Sequence, residues 1–262
     1  MPSKLHISII SAIKINLLQE SATMNRKYKI SDSLGNRNIL YYDAIAADYD
    51  KIMGEDDRNL YVRSAVSRKF LSVVHGGYVL DFGGGTGQDL GWLIQHQYRI
   101  VFCEPSRAMR VIAMQREEAR IAEPAIIFFE DERADFRNWK DFFPFGQHMD
   151  AVLANFAVLN CIPDLECLFD KLTLALKPGG HVLALVLDDH LLKRLRSNMK
   201  GTIGSFFSGS PVKLNIDYKN QQQEVYIHSI KTIKSVSKEK FDLSSQIRLK
   251  GYGFRLIHLV RK

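Results

Sequence analysis

A chain of 262 residues, 46% hydrophobic and 25% charged, has the composition of a globular protein able to bury a full core, which argues against a disordered or fibrous chain. Its length suits one α/β domain with additions. Three cysteines, Cys103, Cys161 and Cys167, make neither a paired framework nor metal-ligand spacing, so no metal is expected and a reducing, cytoplasmic location is. The net charge of +7 is uneven: residues 190–262 hold 15 Lys and Arg against 4 Asp and Glu, whereas residues 1–189 hold 21 against 25. A basic carboxyl-terminal third suits an acidic partner such as RNA, an anionic membrane surface, or simply a solvated face.

In chain order, Leu5 to Leu18 is apolar but interrupted by His6, Lys14 and Asn16, too broken for a membrane span. It also lacks the clean run and cleavage site of a signal peptide. Residues 1–38 are expected to be an extension, helical in part and poorly ordered, with Met24 as an alternative start. Arg58 to Val74 reads as a helix that delivers the chain to a buried strand, Tyr78-Val79-Leu80-Asp81. A glycine loop follows, Phe82-Gly83-Gly84-Gly85-Thr86-Gly87-Gln88, and opens onto a helix over Asp89 to Gln95. That layout lets a ligand touch bare backbone at the carboxyl edge of a parallel sheet. A dinucleotide fingerprint, G-x-G-x-x-G, would place glycine at position 88, where this chain has Gln88, and its third glycine falls at Gly87 instead. No Gly-Lys-Ser/Thr follows, so the phosphate loop of nucleotide hydrolases is also absent.

A second apolar strand, Arg99 to Cys103, ends in Glu104, twenty-three residues beyond Asp81. An acid about 20 residues on, at the tip of the second strand, is where a ribose diol is gripped. A nucleoside without pyrophosphate, beside D-x-G-x-G-x-G, points to S-adenosylmethionine. Here the chain resembles the class I methyltransferases that use this cofactor, over roughly Tyr42 to Val186. The resemblance implies a doubly wound, Rossmann-like α/β fold with a seven-stranded sheet, an antiparallel carboxyl-terminal strand and an amino-terminal helical extension. The domain would occupy residues 39–262, with an inserted hairpin or lid at about 190–228.

The remaining elements extend that likeness. Tyr41 to Asp50 resembles the helix before the first strand in small-molecule methyltransferases, where the Tyr-Asp pair, here Tyr49-Asp50, covers the methionine end of the cofactor. An aromatic face can attract a sulfonium. Glu104-Pro105-Ser106 opens another helix, with Pro105 at a first-turn position and a stripe of Met109, Ile112, Ala113 and Ala119 against the sheet. The third strand, Ala125 to Phe129, leads into Glu130-Asp131-Glu132. The resemblance implies that one of these acids accepts the adenine amino group, Asp131 first and Glu132 next. The fourth strand, Met149 to Ala154, ends at Asn155, whose carbonyl would face the methionine amino group. Lys177-Pro178-Gly179-Gly180 reads as a turn into a near-continuously apolar fifth strand, His181 to Leu187. Alternation in Pro211–Tyr218 and Gln223–His228 signals a hairpin, and Phe241–Leu249 with Phe254–Val260 the final strand pair.

The implied site is therefore Asp81, Gly83, Gly85 and Gly87 for the methionine moiety, Glu104 and Pro105 for the ribose, Asp131 or Glu132 for adenine, with Tyr49 and Asn155 beside the methyl. In-line methyl transfer calls mainly for alignment, and a general base helps only some acceptors. His190 and His228 are candidates for such a base. No Asn/Asp/Ser-Pro-Pro-aromatic run follows the fourth strand, and neither Cys161 nor Cys167 follows proline. Both facts disfavour methylation of nucleic-acid bases. The expectation is methyl transfer to O, N or C of a small organic acceptor. The rivals are an RNA-directed methyltransferase and an inactive cofactor-binding regulator.

Overall fold

The computed structural model describes residues 31–53, 57–121, 125–139, 144–188, 211–218 and 221–262. Helix α1 (Ser31–Met53) and α2 (Asp57–Leu71) precede strand β1 (Tyr78–Phe82). After it come α3 (Leu90–Gln95), β2 (Arg99–Cys103), α4 (Arg107–Gln115), α5 (Glu117–Ile121), β3 (Ile126–Phe128), β4 (Met149–Ala154), α6 (Leu165–Ala175) and β5 (Leu176–Leu187). A hairpin of β6 (Val212–Tyr218) and β7 (Gln221–Ile227), then α7 (Ile230–Ser237), β8 (Phe241–Leu249) and β9 (Phe254–Arg261), complete the described chain.

Seven strands form one sheet in the order β3-β2-β1-β4-β5-β9-β8, and β6-β7 form a separate ribbon. Strands β1 to β5 are parallel, β9 runs antiparallel to β5, and β8 antiparallel to β9. The strand order reverses between β1 and β4, so the crevice beyond their carboxyl ends is where such sheets bind ligands. Register makes that edge level: Asp81 lies beside Phe102 on one side and Leu153 on the other.

Alternation along the buried strands feeds two cores. Val79, Ile100, Phe102, Leu153 and Leu185 pack with α2 and α3 residues Val66, Phe70, Leu90 and Leu93. Leu80, Val101, Val152 and Val186 pack with Leu168, Phe169 and Leu172 of α6, and with Trp139. A fully buried Leu or Phe contributes about 1.5–3 kcal/mol, so this two-sided burial, rather than local propensity, holds the edge rigid.

Helix α1 packs outside both layers, with Tyr41, Ile45 and Ala46 against Met109 of α4. Its Asn38 side chain donates to the carbonyls of Cys161 and Glu224 and accepts from Glu224 N at 2.9 Å, docking the helix on β7. Asn160 ties β7 to the loop after β4, donating to Tyr226 O at 2.7 Å and accepting from Leu187 N at 2.9 Å. The expected boundary at residue 38 falls inside α1. No helix among the described residues is long and apolar enough to cross a membrane.

Three local expectations are corrected. Pro105 stands before the helix rather than in its first turn, because Ser106 is the cap and accepts from Met109 N. The helical stripe does not run unbroken to Ala119: α4 ends at Gln115, Arg116 is extended, and Ala119 sits on α5. Lys177–Gly180 is not a separate turn but the leading end of β5. Leu176 pairs with Met149, the register slips, and pairing resumes at His181 with Ala151. Gly179 takes φ 75°, which lets the bulged chain rejoin the ladder.

Candidate active site

The loop after β1 closes through backbone alone. Gly83 N donates to Cys103 O at 2.7 Å and Gly87 N to Gly84 O at 2.9 Å. Gly83 and Gly85 line a cavity of about 540 Å³ at the carboxyl edge, within the size range of small-molecule sites. A Cβ on Gly83 would lie 2.6 Å from Val158 Cγ1. Gly87 does not reach the cavity. A Cβ there would meet Leu90 and Ala113 at 2.7 and 3.0 Å, so this glycine serves the approach of α3 to α4.

Glu104, at the end of β2, lines the same cavity and is buried. One carboxylate oxygen accepts from Gly85 N at 3.0 Å and the other from Ser106 N at 2.8 Å. Each oxygen keeps a second lone pair for a ligand. Burial pushes its pKa up to about 7, opposed by those two backbone N–H groups and by Arg110. Pro105 lines the cavity beside it.

Asp81 lies just behind the loop, fully buried, with Oδ2 unpartnered. Burial raises its pKa well above the ordinary value, and the negative charge of Asp89 adds to the effect. Asp89 is itself tied down, accepting from Arg63 at 2.6 Å, Trp92 Nε1 at 2.9 Å and Asn155 Nδ2 at 2.8 Å. Asn155 lines the cavity, and its Oδ1 accepts from Phe156 N. The next two residues, Phe156 and Ala157, have φ of 49° and 65°, uncommon for residues with side chains. Phe156 projects into the cavity lining, with the Arg63 guanidinium 4.5 Å from its ring centroid.

Tyr49 on α1 also lines the cavity, edge-on to Tyr42 and 3.9 Å from where a Cβ on Gly85 would stand. Its neighbour Asp50 fastens α1 to the glycine loop: Thr86 Oγ1 and Gln88 Nε2 both donate to Oδ1. Burial raises the pKa of Tyr42, Tyr49 and Cys161, all at the cavity, so each is neutral near pH 7.

Besides Gly87 and Asp81, three further expected residues lie off the cavity. Asp131 and Glu132 do not line the cavity: Asp131 caps a 3-10 turn and pairs with Arg133, which holds its carboxyl below the ordinary value. Among the described acids between β3 and β4, the one that lines it is Asp135, four residues after Asp131 and paired with Arg137. His228 is buried off the cavity with Nε2 2.9 Å from Ile162 O, and burial lowers its pKa. That geometry makes it a strut rather than a base. His190 lies outside the described residues. Sequence reasoning missed Asp135, Phe156 and Arg63, and it named Asp50 only as part of the Tyr-Asp pair, without its tie to the glycine loop.

The basic carboxyl-terminal third is partly spent internally. Arg248 and Arg255 both pair with Asp188, Arg261 donates to Leu176 O, and Lys240 pairs with Asp170.

Residues 80–182 match the family model of a methyltransferase domain. No curated protein sequence matches the chain. Many solved structures share its fold. The DhpI–SAM–HEP complex superposes with a TM-score of 0.64 at 19% identity, over 89% of this chain and 100% of that one. N-methyltransferase NodS from Bradyrhizobium japonicum WM9, in complex with S-adenosyl-L-homocysteine, gives 0.60 at 14%, over 86% and 98%. The 1,6-didemethyltoxoflavin-N1-methyltransferase of Burkholderia thailandensis, with 1,6-didemethyltoxoflavin and S-adenosylhomocysteine bound, gives 0.60 at 12%, over 95% and 99%.

Proposed function

We propose that this chain, a member of the class I methyltransferase family by its sequence match and its fold, transfers a methyl group from S-adenosylmethionine to O, N or C of a small organic acceptor. One observation carries the reading: Gly83, Gly85, Glu104, Tyr49 and Asn155, from four separate elements, converge on a single cavity. The residues fit the cofactor. Glu104 offers lone pairs to a ribose diol, and Asp135 offers a carboxylate to an adenine amino group. Asp81 stands behind the glycine loop, off the cavity, with its Oδ2 unpartnered. Bound in the cavity, S-adenosylmethionine supplies an electrophilic methyl on a sulfonium.

The chain's own part is positioning. Holding the reacting atoms in line is worth up to roughly 7–11 kcal/mol. Tyr49 and Phe156 both line the cavity, and an aromatic face attracts a cation such as a sulfonium. Tyr42 and Cys161, both neutral, offer hydrogen bonds to an acceptor rather than a charged base. A small acceptor suits a cavity flanked by Asn38, Ile39 and Tyr42 of α1. Three free cysteines suit a cytoplasmic enzyme.

Calorimetric titration with S-adenosylmethionine and S-adenosylhomocysteine tests the reading. Micromolar binding by the wild type, weakened at least about tenfold in Glu104→Ala, is the expected result, equivalent to about 1.4 kcal/mol. No binding by the wild type overturns it. Tight RNA binding with a steep salt slope would instead favour the RNA-directed rival.

A further inference from the structure

The glycine loop ends on Gln88, the position where a dinucleotide fingerprint has its third glycine. Its side chain is half-buried, and both ends of its amide are engaged. Nε2 donates to Asp50 Oδ1 at 2.7 Å, and Oε1 accepts from Arg63 Nη2 at 2.6 Å. These partners admit one orientation. A flipped amide would set its NH2 against a guanidinium and its oxygen against a carboxylate, turning two charge-assisted hydrogen bonds into two repulsions.

Each partner leads to one aromatic side of the cavity. Asp50 follows Tyr49 on α1. Arg63 reaches from α2, pairs with Asp89 and stacks on Phe156, which also meets Phe254 edge-on. Neither partner depends on Gln88 to stay paired. Asp50 also accepts from Thr86 and from Arg116 Nη2 at 2.5 Å, while Arg63 keeps Asp89. Removing the Gln88 amide therefore deletes the cross-link and leaves both anchors in place.

We propose that Gln88 is a positioning residue that links Tyr49 on α1 to Phe156 after β4, setting the two aromatic sides of the cavity relative to each other through Asp50 and Arg63. The proposal deepens the methyl-transfer reading and rests on it. A glycine here, as in dinucleotide sites, would leave Tyr49 and Phe156 without this link, while Asn38 and Tyr42 would still hold α1 to Cys161 further along the β4 loop.

The test is the affinity for S-adenosylmethionine of the wild type, Gln88→Met and Gln88→Glu at about pH 7.5 and about pH 5.5, with melting temperatures alongside. Gln88→Met keeps the length of the side chain and loses both hydrogen bonds, so binding is expected to weaken about tenfold, the worth of one charge-assisted bond. Gln88→Glu sets a carboxylate against Asp50 and is expected to bind at least as weakly at the higher pH. The charges facing position 88 are Asp50 from α1, Arg63 from α2, Asp89 from the loop and Arg116 from the end of α4. A carboxyl beside Asp50 takes up a proton on acidification. Protonated, it presents one donor and one acceptor, as the amide does, so its deficit relative to wild type is expected to shrink at about pH 5.5. In a Tyr49→Ala background the Gln88→Met loss is also expected to shrink, because the two act through one contact.

Wild-type binding with both Gln88 variants unchanged overturns the proposal alone. So does full additivity with Tyr49→Ala, or a Gln88→Glu deficit that ignores pH. No binding by the wild type removes the methyl-transfer reading and the proposal together.

Discussion

Two loops at the carboxyl edge of the sheet hold backbone in the left-handed region, and they do so with opposite residue choices. After β1, Gly83, Gly85 and Gly87 take φ of 69°, 59° and 79°. After β4, Phe156 and Ala157 take 49° and 65°. Glycine enters this region freely, whereas a side chain there costs about 1–2 kcal/mol. The first loop shows backbone to the cavity at Gly83 and Gly85, and the second shows a ring at Phe156. Gly83 and Gly85 thus mark where backbone faces the cavity, whereas Gly87 serves packing. Strain marks where a side chain must be projected and its surroundings must hold it: Arg63 over the ring, Asn155 on Phe156 N, and Leu185 O on Ala157 N.

The contrast can be broken most severely at Gly83. Gly83→Ala adds positive-φ strain and a Cβ placed 2.6 Å from Val158 Cγ1, so denaturant melts are expected to show a loss of about 2–5 kcal/mol. Adding Val158→Ala should recover the packing part and leave about 1–2 kcal/mol of backbone strain. Full recovery would mean that the loop does not need glycine for its conformation.

A smaller effect is expected at Glu104, which joins the glycine loop to the ligand side of the contrast. Its carboxyl stands at about 7, raised from 4.5 by burial, while a diol and a cationic cofactor favour the ionised form. Affinity for S-adenosylmethionine is therefore expected to fall as pH drops below about 7, approaching tenfold per pH unit. Glu104→Gln should bind about tenfold more weakly at high pH and lose this dependence. Stability of the unliganded protein moves oppositely. With the folded pKa raised, this group's contribution is fully present below 4.5 and lost as pH rises through about 7. Titrations across pH, with melts beside them, separate the two slopes.

The smallest effect sharpens the β4 side. Ala157→Gly should relieve about 1–2 kcal/mol of strain against about 0.5–1 kcal/mol of added unfolded-state entropy, a net gain of about 0.5–1 kcal/mol. Cofactor affinity should not change, because Ala157 does not line the cavity. A drop in stability would show that the β4 loop is not strained there.

Much of the site was legible because its signals are local. The glycine run and the acid at the tip of β2 are placed by strand periodicity and a short spacing, and Asn155 at the tip of β4 by the resemblance to the family. The acid after β3 that meets the cavity was not. Asp131-Glu132-Arg133 and Asp135-Phe136-Arg137 repeat one motif, an Asp that caps a 3-10 turn and pairs with the Arg two residues on. Local chemistry cannot separate the copies, and the path of the chain brings only the second to the cavity. His228 misled for a related reason. A histidine at a strand end reads alike whether it meets a substrate or, as here, a buried carbonyl.

By itself, then, the sequence determined the strands and the glycine loop, which follow from residue chemistry within a few positions, and through its resemblance to the family it implied the doubly wound sheet with its antiparallel close. The tertiary structure decided which acid faces the cavity, which histidine does not, and how α1 and the β4 loop are joined. Those outcomes depend on pairs such as Asp50 with Gln88, 38 residues apart, and Asn155 with Asp89, 66 apart. Such contacts form only when distant segments pack, and no local spacing encodes them.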